Sequence, residues 1–218
     1  MTRMILFWRT NVGSKVVLAA TGAVLFLFLV GHMLGNLQIF EGSERLNAYA
    51  AFLKSTGELL WGVRVMLLVA VTLHIATAAK VTLANWRARP HGYACKRDVE
   101  TSYAARTMII TGPLVFLYVV YHLMMFTLLT TGPGYSPTNV YANVVAAFRM
   151  PIVSGIYIVA MLILGTHLYH GIWSMLQTVG VSNPRYRWLR RTVAPVAALA
   201  IAAGYIAVPV AVLVGIVK

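Results

Sequence analysis

Long apolar runs free of charge, separated by short clusters of Lys and Arg, set the pattern of this chain. A helix needs about 20 consecutive apolar residues to cross a ~30 Å hydrocarbon core. Cutting the runs at charges and turn residues gives five spans, approximately 16–40, 59–83, 107–130, 152–178 and 193–217. The first lies between Lys15 and Glu41, and in the second Arg64 and Lys80 sit close enough to the two ends to snorkel. The uncharged stretch 107–148 is too long for one crossing, and Thr131-Gly132-Pro133-Gly134-Tyr135-Ser136-Pro137 marks where the third span stops. The fourth follows Met150-Pro151 and stops before Gly180 and Asn183-Pro184. Between the first two spans, Leu46, Tyr49, Ala50 and Leu53 fall at helical spacing, which predicts a short amphipathic helix on the outer surface. The expected fold is an all-α membrane protein of one domain, residues 1–218, with five transmembrane helices.

Composition agrees: 60% of the 218 residues are hydrophobic, against roughly 45–50% in soluble domains. The net charge of +13 comes from 18 Lys and Arg against 5 Asp and Glu. Thirteen of the basic residues fall on one side of a five-span chain, namely Arg3, Arg9, Lys15, Lys80, Arg87, Arg89, Lys96, Arg97, Arg106, Arg185, Arg187, Arg190 and Arg191. The positive-inside rule puts that side, with the N-terminus, in the cytoplasm. Trp8, Trp86 and Trp188 at the inner boundary and Trp61 and Tyr135 at the outer one fit an aromatic belt. No basic face interleaves with aromatics on a polar scaffold, so nucleic acid is excluded as a partner. Cys95 is the one cysteine, which excludes an intramolecular disulfide and a cysteine-only metal or iron–sulfur site. The first 15 residues hold no small-residue cleavage site, so the first span reads as retained.

Of six histidines, His91 lies in a basic loop, while His32, His74, His122, His167 and His170 fall inside spans. An imidazole in hydrocarbon is costly unless it is used, so the set is a functional candidate. At 1.5 Å per residue, His32 and His122 both lie about 22–24 Å from the inner face. His74 and His167, on spans running the other way, lie roughly 8–10 Å above it. Two histidines at one depth on facing helices are what a bis-histidine b-type haem requires, and two levels predict two stacked haems held by the first four helices. Gly22, Gly31, Gly35, Ala70, Ala78, Ala160 and Gly171 near these positions would permit close helix approach. His170, one turn from His167, rivals it for the fourth ligand, but its depth matches His74 less well, and it could instead meet a haem propionate or the inner interface. No span carries a carboxylate, so a paired-carboxylate ion carrier lacks its groups. Zinc-type His-Glu-x-x-His spacing and a phosphate-cradling glycine loop are likewise missing from the sequence.

Ala20-Thr21-Gly22, Gly31-His32-Met33-Leu34-Gly35-Asn36-Leu37-Gln38, Asn47-x-Tyr49-Ala50 with Phe52-Leu53, Arg64 ahead of His74, and Asn85-x-x-Ala88-Arg89-Pro90 occur in that order. With His167-Leu168-Tyr169-His170-Gly171-Ile172-Trp173 through Gly180, they make the chain resemble the cytochrome b anchor of succinate dehydrogenase and fumarate reductase, of the five-helix, two-haem, single-anchor type. The resemblance implies His32 with His122 on an outer, distal haem and His74 with His167 on an inner, proximal one. It implies residence in the bacterial cytoplasmic membrane, in contact with lipid. It further implies a flavoprotein and an iron–sulfur protein docked on the cytoplasmic side, a quinone substrate of the menaquinone type, and room for association of whole complexes. Some members carry a glutamate two residues before the fourth ligand, on a proton path; here that position is Gly165, so the path is not expected.

An anchor of this kind needs a quinone site, for which Asn36, Glu58 and Trp61 are the outer candidates. Haem propionates need donors, for which Arg64 outside and Lys15, Lys80 and His170 inside are candidates. The competing readings are a di-haem anchor of a hydrogenase or formate dehydrogenase, a haem-free transporter with histidine proton relays, and a purely structural anchor.

Overall fold

A computed structural model describes residue 8 and residues 10–88, 102–132, 134–181 and 183–218. Arg3, Arg9, Arg89, His91, Cys95, Lys96 and Arg97 lie outside the described residues, as does the Arg89-Pro90 part of the family-like pattern. Among the described residues the fold is all-helical: α1 Asn11–Leu37, α2 Ser43–Ser55, α3 Glu58–Arg87, α4 Tyr103–Phe126, α5 Val140–Phe148, α6 Pro151–Thr178 and α7 Arg187–Leu213. Five of these, α1, α3, α4, α6 and α7, are long and apolar enough to cross a membrane.

Local chemistry fixes the ends. Thr10 caps α1 by accepting from the Gly13 amide at 2.9 Å, which starts the helix at Asn11, ahead of the apolar run. A 3-10 turn, Gln38–Glu41, follows α1, and Gly42 at φ 102° reverses the chain into α2, a conformation that favours glycine. The amphipathic helix expected between the first two spans is α2, with Leu46 buried beneath it. Ser102 and Asn139 cap α4 and α5 through their side chains, and Pro151 occupies the first turn of α6, where its missing N–H costs nothing.

The helix α5 is not expected from the sequence. Its nine residues are too short to cross a membrane; Asn143, Val144, Val145, Ala147 and Phe148 are buried, and the exposed positions between them are the small residues Ala142 and Ala146. It packs under α2 and against α6 and α7, at the end of the bundle away from the N-terminal segment. Asn47 joins the two short helices, donating to Asn139 Oδ1 at 3.1 Å and accepting from the Tyr141 amide at 3.0 Å.

The long helices pack as α1 on α3, α4 on α6 and α1 on α6, so the four histidine-bearing helices form one bundle. The last helix, α7, lies against α6 and α1. Its contact face is small: Ala194, Ala198 and Ala202 are buried, and a Cβ on Gly165 of α6 would stand 3.4 Å from Ala202. A glutamate at position 165 would therefore point into α7. Outward faces remain apolar and exposed, as at Leu27, Leu68, Leu117 and Leu199, the arrangement suited to a lipid surround.

Candidate metal centres

The bundle brings the histidines together in two pairs. His32 of α1 and His122 of α4 have ring centroids 5.8 Å apart, and His74 of α3 and His167 of α6 have centroids 6.5 Å apart. An imidazole centroid lies about 1 Å from its nitrogens and a metal–nitrogen bond is about 2 Å, so two imidazoles across one ion have centroids roughly 6 Å apart. Both pairs fit that requirement. Among the described residues no group of three or more His, Cys, Asp or Glu converges, so each pair offers two histidine nitrogens only. Two imidazoles are suited to an iron whose other ligands come from a bound group.

Hydroxyl groups hold three of the four rings. Thr21 Oγ1 lies 3.0 Å from His74 Nδ1, and its own hydrogen is directed to the Val17 carbonyl at 2.7 Å, so the threonine accepts from the Nδ1–H. Thr111 Oγ1 lies 3.4 Å from His167 Nδ1, and the Tyr157 hydroxyl lies 3.3 Å from His122 Nδ1. A hydrogen bond at Nδ1 selects the tautomer and leaves the Nε2 lone pair for a metal. His32 is held differently: Phe28, one turn earlier, stacks on it at 5.3 Å and 15°, and Tyr205 of α7 lies 6.1 Å away.

The two hydroxyl partners of the lower pair repeat in sequence. Thr21-Gly22 precedes His32 by the same interval as Thr111-Gly112 precedes His122. In each case the threonine holds a histidine of the adjacent helix, and a Cβ on the glycine would touch that same ring, 3.6 Å from His74 and 3.9 Å from His167. Sequence reasoning did not assign Thr21, Thr111 or Tyr157 to the site; the repeated Thr-Gly and histidine interval was the available signal.

Of the two rivals for the fourth ligand, His167 faces His74, whereas His170 makes no ring contact with it. Lys80 is engaged by the N-terminal segment. Its ammonium donates to the Trp8 carbonyl and to Ser14 Oγ at 2.9 Å and lies 4.5 Å over the Trp8 ring, while Trp8 Nε1 donates to the buried Thr77 at 3.1 Å. Lys15 is exposed in the first turns of α1. Arg64 is exposed and lies 5.0 Å over the ring of Trp61. Glu58 is exposed at the start of α3, and Asn36 donates to the His32 carbonyl at 2.7 Å. No hydrogen bond or ring contact joins Asn36, Glu58 and Trp61 to one another among the described residues. Compared with known proteins, the chain matches no family model, no curated protein and no solved structure.

Proposed function

We propose that this chain is the di-haem cytochrome b anchor of a bacterial succinate:quinone oxidoreductase, either a succinate dehydrogenase or a fumarate reductase. The observation that carries the reading is the sorting of four histidines from four helices into two facing pairs at separations suited to one iron each. His32 and His122 would hold one haem and His74 and His167 the other. When bound, the haems supply one-electron carriers between partner proteins and quinone.

The chain's own residues supply position and environment. Thr21, Thr111 and Tyr157 fix three imidazoles with Nε2 free, and Phe28 and Tyr205 confine the fourth. The helices around the pairs are apolar, and each pair is two imidazoles with no charged side chain between them. At the N-terminal end of the bundle, Lys15, Arg87, Arg106, Arg185, Arg187 and Arg191 are exposed, a basic surface suited to a docked iron–sulfur protein with its flavoprotein in the cytoplasm. Succinate oxidation in that flavoprotein would release two electrons and two protons, and quinone would take up two of each, or the reverse.

Purification of the full complex with a pyridine haemochrome assay tests the reading. Two haems per chain, together with succinate oxidation by a soluble dye, is the expected result. Absence of a b-type α band would end it, and two haems co-purifying with hydrogenase or formate dehydrogenase activity would move the anchor to that class.

A further inference from the structure

We infer that Arg190, in the first turn of α7, binds the phosphate of an anionic phospholipid from the leaflet at the N-terminal end of the bundle. The inference needs only the membrane-spanning fold and is independent of the haem reading above. Arg190 is the one buried charged residue among those described, 7% exposed. Its Nε is sealed from the surroundings and has no hydrogen-bond partner, whereas its two terminal nitrogens are not sealed. The guanidinium lies 5.2 Å over the Trp173 ring of α6, and the Tyr169 ring lies 6.3 Å from that of Trp173. A ring face holds the cation in place but gives its N–H donors no oxygen. The described acids Glu41, Glu44 and Glu58 all belong to the opposite end of the bundle, and the one ion pair among the described residues joins Glu41 to Arg45. A buried guanidinium without an acceptor is costly, so the site calls for an anion.

Three features favour a lipid phosphate. First, the depth is that of a headgroup. Trp188, 64% exposed, marks the interface on α7, and Arg190 lies two residues, about 3 Å, to its membrane side. Trp173 lies about 8 Å inside the end of α6 at Thr178. A lipid phosphate is already at that level, which a docked soluble protein would have to enter. Second, the surroundings are positive. No side chain caps α7, so its first amides remain as donors beside exposed Arg187 and Arg191, and a headgroup of net negative charge is favoured over a zwitterionic one. The planar guanidinium is weakly hydrated and meets phosphate through two parallel N–H bonds. Third, exposed Val193, Val196 and Leu199 continue along α7 toward the membrane interior, an apolar path for an acyl chain. A haem propionate is a poorer fit, because Trp173, six residues after His167, stands about 120° round α6 from it.

The test is photolabelling of the full chain in phosphatidylcholine nanodiscs that contain a trace of phosphatidylglycerol with a diazirine next to its headgroup. Label is expected on peptides covering residues 169–178 and 186–196, displaced by unlabelled phosphatidylglycerol but by neither phosphatidylcholine nor inorganic phosphate. Arg190→Gln should lower it roughly tenfold, and Arg190→Lys by less, since an ammonium keeps the charge without the fork. The competition series on the unaltered chain needs no variant to fold. Label spread evenly over the helices, equal displacement by phosphatidylcholine, or undiminished label in Arg190→Gln would overturn the site. Displacement by inorganic phosphate would make the ligand a free anion. Label that appears only after Asp98→Asn with Glu100→Gln would mean that an acid of this chain already holds Arg190. Loss of a haem band, or of co-purifying proteins, from Arg190→Gln with its label intact would assign the arginine to a propionate or to a protein partner, and each of these results overturns the lipid.

Discussion

The hydroxyl of Thr21 on α1 lies 3.0 Å from Nδ1 of His74 on α3, and its own hydrogen goes to the carbonyl of Val17. A threonine that could have satisfied itself within its helix thus doubles as the orienting partner of a ring on the next helix. This contact is the kind that sets ring angle and ligand basicity when an imidazole binds iron.

Removing it leaves the ring in place but free to turn. Thr21→Val, nearly the same in shape, is expected to weaken haem retention at the His74 and His167 pair by about 10–100-fold and to alter its midpoint potential. The pair His32 and His122 should keep its potential, and Thr21→Ser should restore the first. Redox titration of the two b-type bands reads both. Equal shifts of both potentials would mean that the substitution acts through the bundle as a whole.

On the proposed di-haem reading, the pairing predicts haem stoichiometry. His32→Ala and His122→Ala are each expected to lower haem content from about two to one per chain, both losing the same spectral component, and His74→Ala and His167→Ala to lose the other. His170→Ala should retain both, since His167 is the residue that faces His74. Loss of one haem in His170→Ala with full content in His167→Ala would exchange their roles.

How far the fold could be read from the chain depends on which force set each feature. Charges and Gly-Pro turns bound the apolar runs, so the five spans and the level of each histidine follow from one period and one thickness. Helix ends differ from the hydropathy bounds for local reasons: the Thr10 cap begins α1 at Asn11, and α7, which has no side-chain cap, begins at Arg187 because arginine stems tolerate the interface. The helix α5 escaped because its exposed positions are alanines and a buried one is Asn143, so over nine residues hydropathy gives too little contrast to distinguish it from a connector. Thr21, Thr111 and Tyr157 escaped for a different reason. A threonine hydroxyl within a span has a carbonyl three or four residues back as its default partner, and a tyrosine hydroxyl reaches beyond its own helix, so only the tertiary arrangement shows which ones meet a neighbouring ring.

Close packing around α2 gives a stability prediction. A Cβ on Gly35 would stand 2.7–3.0 Å from the ring of Tyr49, which the turn at Gly42 lays across α1. The tyrosine ring is rigid, so Gly35→Ala should displace α2 at a cost of about 1–3 kcal/mol. Faster hydrogen exchange across residues 43–55 in the variant checks this, and the double substitution Gly35→Ala with Tyr49→Ala should recover most of the loss. Unchanged exchange would show that Tyr49 has room to swing aside.

Lys80 separates a latch from a cofactor ligand. Its ammonium holds the Trp8 carbonyl and Ser14 Oγ and lies over the Trp8 ring, while Trp8 reaches Thr77 on the same face of α3. A charged hydrogen bond is worth about 1.5–3 kcal/mol and a partly shielded cation–π contact about 0.5–2 kcal/mol. Lys80→Met keeps the stem and removes both. The expected result is increased exchange over the first turns of α1, residues 11–16, with both haems and their potentials intact, because the ammonium is already committed to the N-terminal segment. If instead the variant loses the haem of His74 and His167 while residues 11–16 stay protected, Lys80 belongs to that haem's propionate, and the contact with Trp8 gives way when the haem binds.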